Sequence, residues 1–123
     1  MMEGAFTTRP LTENIGSDAT FDVAKYWLKV CLETHTAKCA TEISQLPTRV
    51  IDVGALDEAQ VSLHISREEE IGHWLTLSHC GGARLPHTTT KVNFANFCKG
   101  IPVQELPPAF QDAILITRKL GYR

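Results

Sequence analysis

Apolar residues recur along this chain at two different periods, and the switches between them divide it into elements. From Phe21 the spacing is helical: Phe21, Ala24, Leu28 and Leu32 form one row, with Trp27 and Cys31 on the next. Asp18 stands where an N-cap belongs, so the pattern predicts a helix over 19–36, behind a polar lead-in, residues 1–17, that contains Gly4, Pro10 and Gly16. Residues 41–47 read as a connector. The period then shortens. RVIDV at 49–53 is rich in β-branched residues and is punctuated by Gly54. Over 61–65, Val61, Leu63 and Ile65 alternate with Ser62 and His64, the signature of a half-buried strand. GALDEAQ between them carries turn residues and charge, which predicts a hairpin with a long loop.

Residues 66–72 hold Arg67, Glu68, Glu69 and Glu70 and read as a solvated turn. A third strand is predicted over 74–78, with Leu75 and Leu77 on one face, running into Gly81 and Gly82. Residues 83–90 form a polar loop, and 91–98 a short helix carrying Val92, Phe94, Ala95 and Cys98. The strongest signals belong to a final helix over 107–120. Pro107 and Pro108 suit a first turn, Asp112 lies toward the positive end of the dipole, and Arg118 and Lys119 lie at the negative end. Gly121 stands where a left-handed cap ends a helix. Phe110, Ala113, Ile114 and Thr117 make one stripe, and Leu115, Ile116 and Leu120 widen it, so this helix expects cover on more than one side.

Composition narrows the class. A chain of 123 residues holds one domain with a real core. Twelve basic and 14 acidic residues give a formal charge of -2, no footprint for nucleic acid or for an anionic membrane. No apolar run reaches bilayer length, and residues 1–17 lack the apolar core of a secretory signal. Cytoplasmic placement is the default, with Cys31, Cys39, Cys80 and Cys98 as reduced thiols.

Five pieces resemble the fungal heterokaryon-incompatibility (HET) domain, in that family's order, over residues 26–123. YWLKVCLETHTAKC (26–39) is similar to the tryptophan–cysteine–histidine–cysteine segment often found upstream, and LPTRVIDVG (46–54) to the strand that follows. LTLSHCGG, with Leu77, Ser78, His79, Cys80, Gly81 and Gly82, resembles the LSHCWGG signature. TTTKVNF and GIPVQELPPAFQDAILITRKLGYR resemble the family's long block, including Leu106, Pro107, Phe110, Asp112 and Ala113. There are two departures. The signature tryptophan is missing, because Gly81 follows Cys80 directly. The family also continues into a strand reading like LWIDSLCIIQD, whereas this sequence stops at Arg123.

The resemblance implies an α/β layered domain of the Toll/interleukin-1-receptor type, with a parallel sheet. Here it would be incomplete: an N-terminal helix, about three strands and a C-terminal helix, with residues 73–123 forming the N-terminal part of the HET domain after an upstream helix and hairpin in 18–72. It implies a role in non-self recognition and the cell death that follows incompatible fusion. It also implies other HET-domain or incompatibility proteins as partners. The expected form is a truncated, non-catalytic fragment that lacks the acidic residue a nucleotide-cleaving relative would carry. Its uncovered apolar surface would favour self-association. The competing readings are an NAD-hydrolase-like enzyme and a small module that interferes with full-length HET proteins.

Two groups carry candidate chemistry. Cys31, His35 and Cys39 have zinc-capable side chains at C-x3-H-x3-C spacing. On a continuous helix the outer pair lie about 12 Å apart at a rise of about 1.5 Å per residue, so one ion reaches all three only if the helix breaks. The plainer reading is a buried Cys31, a helix-end His35 and a thiol at Cys39. Ser78, His79 and Cys80 suggest a nucleophile and base, but neighbours on a strand face opposite ways, and no motif supplies an acidic orienter. Gly81 and Gly82 read first as a sharp turn, since the next helix begins too far away for a dinucleotide loop.

Overall fold

The computed structural model describes residues 13–35, 37, 43–82 and 87–123. Cys39, the first twelve residues and part of the predicted 83–90 loop lie outside the described residues. The chain divides into two compact units, Met1–Cys39 and Ala40–Arg123.

In the first unit α1 spans Asp18–Thr34. Its N-cap is Ser17 rather than the expected Asp18. The Ser17 hydroxyl accepts from the Thr20 amide at 3.4 Å, and Asp18 falls one place inside, where its charge meets the helix dipole. The helix ends before the expected Thr36, with the His35 amide donating to the Cys31 carbonyl at 3.1 Å. Phe21 is buried, while Tyr26 and Trp27 are exposed.

The second unit builds on the predicted hairpin. β2 (Arg49–Asp52) pairs antiparallel with β3 (Gln60–Ile65), placing Val50 opposite His64 and Asp52 opposite Ser62. Alternation sets the faces, so Val61 and Leu63 are buried while the residues between them are not. The far edge of β3 takes β5 (Ile101–Pro102), again antiparallel, with Val61 opposite Ile101. α2 (Phe94–Lys99) leads into β5, and a 3-10 turn (Val103–Glu105) leads from it toward α3 (Pro108–Lys119). The core lies where α3 covers the sheet. Val53, Val61, Ile101 and Ile114 are buried together, with Phe97, Val103 and Leu106 packed at their margin.

α3 ends as its sequence predicts. Gly121 adopts φ 87°, its amide donates to Arg118 at 3.0 Å, and the Tyr122 amide donates to Thr117 at 3.1 Å, the pair of bonds of a Schellman cap.

The third strand expected at 74–78 is absent: residues 73–81 carry no regular structure. Leu75 and Leu77 alternate correctly, but no neighbouring strand pairs with them, and they stay 41% and 51% exposed. Two-residue strands appear instead on either side of the hairpin: β1 (Ser44–Gln45), inside the predicted connector, pairs antiparallel with β4 (Ile71–Gly72), inside the predicted turn. The architecture is therefore mixed helix and sheet, with three helices and two small antiparallel sheets among the described residues. No described helix is long and apolar enough to cross a membrane.

Candidate functional site

A groove of about 890 Å³ opens in the second unit between β2, α3 and the irregular segment at 73–77. Ile51, Trp74, Leu75, Leu77, Phe110 and Ile116 are among its lining residues. Each but Phe110 is at least 40% exposed, so the groove is an apolar surface without a cover. Its polar lining residues include Asp52, His64, Glu70 and Arg123.

The sequence pieces that resemble one family meet here. The His79 ring packs edge-on against Phe110, with centroids 5.2 Å apart. His73 meets Tyr122 in the same way at 6.1 Å. Leu106 borders the core, Ala113 lines the groove, and Pro107 caps α3 at its N-terminus. Asp112 points to solvent. Gly82 takes φ 65° with open space where a Cβ would stand, so its role is the turn.

Ser78, His79 and Cys80 are all exposed, and the ring contact His79 makes is with a phenyl group. Among the described residues no hydrogen bond joins these three side chains to a base or an acidic group. Cys31 and His35 sit in the last turn and at the C-cap of α1, while Cys39 lies outside the described residues. Among the described residues no three metal-capable side chains gather.

The polar groups that hold the site act differently from what the sequence suggests. Arg118, expected to serve the helix dipole, reaches across to the hairpin loop. Its Nε donates to the Val53 carbonyl at 2.7 Å, and its two terminal nitrogens lie 3.5 and 3.4 Å from the carbonyls of Leu56 and Gln60. Gln111 donates to the Leu106 carbonyl at 2.7 Å, tying the 3-10 turn to α3. Asn93 accepts from the Thr90 amide at 2.7 Å and donates to the Thr88 carbonyl at 3.0 Å, closing the loop before α2. All three fall within the 88–123 block, where sequence alone assigns Arg118 only to the helix dipole and Gln111 and Asn93 no role.

Charge is arranged in pairs. Arg123 donates to both Asp52 oxygens, at 3.0 and 3.3 Å. Burial alone would raise the Asp52 pKa, but the Arg123 hydrogen bond, the Gly54 amide and nearby positive charge outweigh it and hold the carboxyl below its usual range. Glu70 is also held low, first by the Arg67 amide and then by His64, whose Nε2 lies 3.0 and 3.1 Å from the two carboxylate oxygens.

Comparison with models of protein families, with curated proteins and with solved structures found no match.

Proposed function

We propose that this chain carries the N-terminal part of a HET-type domain and acts by association rather than catalysis, in fungal non-self recognition and the cell death that follows. The observation that supports this reading is the meeting of LTLSHCGG and the PPAFQDAI helix, which lie some twenty-five residues apart in sequence and touch through His79 and Phe110. On this reading residues 74–78, which form no strand here, and α3 stand at the positions of the first strand and first helix of a Toll/interleukin-1-receptor-like layer. The partners are other HET-domain proteins, and the apolar groove is the surface offered to them.

Co-expression with a full-length HET-domain protein tests the proposal. Co-purification is expected, together with growth arrest in a fungal host, and both are lost in Leu77→Asp and Ile116→Glu proteins that remain folded. A chain that neither binds such a protein nor alters growth overturns it.

A further inference from the structure

Residues 73–80, of which 73–77 line the groove, have no strand pairing, and directed contacts are made at their ends. At the far end His79 rests on Phe110, and at the near end His73 meets Tyr122. Glu70, just before the near end, adds three further contacts. Its carbonyl accepts from the Leu46 amide at 2.8 Å, beside the β1–β4 pair. Its carboxylate accepts from the Arg67 amide at 2.8 Å, fixing the turn in which Glu69 takes a left-handed φ of 63°. The same carboxylate faces His64 Nε2 with both oxygens, linking the wall to the middle of the hairpin.

We propose that the His64–Glu70 contact is a proton-dependent fastener for the groove wall, tight when the imidazole carries its second proton and looser when it does not. The geometry sets the sign. A neutral imidazole offers one ordinary hydrogen bond, whereas an imidazolium facing an ionised carboxylate adds charge attraction. Histidine is the side chain that changes charge between pH 5 and 8. Glu70 remains ionised through that range, so the fastener tightens as pH falls across it and weakens again only where the carboxylate protonates.

Among the described residues, three charged groups stand near His64 besides Glu70: Asp52, Arg123 and Arg67. Register places His64 on the same sheet face as Asp52, one step diagonal to it. Asp52 is already engaged by Arg123, which leaves Glu70 as the carboxylate in direct contact with His64. Arg67 meets Glu70 through its backbone amide and adds positive charge nearby. His73 and His79 stand in the wall itself, and the test has to separate them. The inference stands on this geometry and does not depend on the family reading.

Amide exchange at Leu46 and Gly72, normalised for intrinsic rates, reads the fastener. In the wild-type chain protection is expected to be about two- to fivefold higher at pH 5.5 than at pH 7.5, the size of effect an exposed charge pair gives. Glu70→Gln keeps the length and hydrogen-bonding capacity but removes the charge, and it should flatten that ratio to one. His64→Gln should do the same. A wild-type ratio of one overturns the proposal. So does a ratio that persists in Glu70→Gln, which would assign the pH dependence to His73 or His79. Urea unfolding of each variant establishes that the comparison is made on folded protein.

Discussion

Replacing Arg118 separates two accounts of why it is there. If its purpose is to offset the α3 dipole, any cation serves, and the effect on stability is a few tenths of a kcal/mol. If it clamps the hairpin loop, the planar fork matters. Its Nε–Val53 bond at 2.7 Å is short and charge-assisted, while the contacts to Leu56 and Gln60 at 3.5 and 3.4 Å are weak. Val53 is a core residue at 6% exposure, so its carbonyl is poorly placed to recruit water once the guanidinium is gone. Because Arg118 is half-buried, a charge-assisted bond has to be discounted for solvent. Arg118→Ala is then expected to cost about 2 kcal/mol, and Arg118→Lys, which keeps the charge but not the fork, about 1 kcal/mol.

Urea denaturation at neutral pH measures both. For a domain this small an m-value of about 1–1.5 kcal/mol/M puts the alanine midpoint about 1–2 M below wild type. An alanine variant within about 0.5 kcal/mol of wild type would refute the clamp. A lysine variant indistinguishable from wild type, beside a destabilised alanine variant, would return Arg118 to the dipole.

Further outcomes follow from the same geometry. Gly54 has φ 64°, and an added Cβ would run into the Glu58 carboxylate that accepts from the Ala55 amide at 2.8 Å, so Gly54→Ala should cost about 1–2 kcal/mol. Gly121→Ala, with φ 87° but open space around it, should cost about 1 kcal/mol, and a larger loss at Gly121 than at Gly54 in urea unfolding would contradict this. The folded-state pKa of Asp52 is depressed, so its pairing with Arg123 stabilises above the carboxyl's ordinary range and fades as pH falls through the lower folded value. The stability gap between wild type and Arg123→Gln should therefore close on acidification; a gap that stays constant from pH 7 to pH 2.5 rules this out. Sedimentation should show that Leu77→Asp with Ile116→Glu reduces self-association without lowering the urea midpoint, and a pair of variants that associates like wild type contradicts an apolar-groove interface.

How much was legible depended on whether a pattern had its partner nearby in sequence. The α3 stripe from Phe110 to Thr117 and its glycine cap are read within one helix, and they held. Val61, Leu63 and Ile65 alternate beside a second β-rich run, and the hairpin formed. Leu75 and Leu77 carry the same alternation, yet a period of two reports only a tendency, and backbone groups at 74–78 have no neighbouring strand to pair with. β1, β4 and β5 are two residues each, too short for any periodicity, and they form because the hairpin edge and the Glu70 turn bring the backbones together. The site shows the same division. His79 and Phe110 could be marked from their motifs, but Arg118 and His64 act across 65 and 6 positions, a reach that no local pattern encodes.

The small core explains why polar fasteners matter so much in this unit. Among the described residues four, Val53, Val61, Ile101 and Ile114, form the buried cluster, while Ile51, Leu75, Leu77, Leu115 and Ile116 remain substantially exposed. Hydrophobic burial scales with area removed from water, so apolar side chains left in the groove contribute little until something covers them. Element positions that a larger core would fix by packing must then be fixed by directed bonds. Arg118 does this for the hairpin loop, Gln111 for the entry to α3, Glu70 for the groove wall, and Asn93 for the approach to α2. Such bonds depend on charge and geometry, so they respond to pH and to single substitutions more sharply than packing does. A partner that covered the groove would shift the balance back toward burial. Stability measured with a bound partner should accordingly become less sensitive to changes at Arg118 and Glu70 than stability measured on the chain alone.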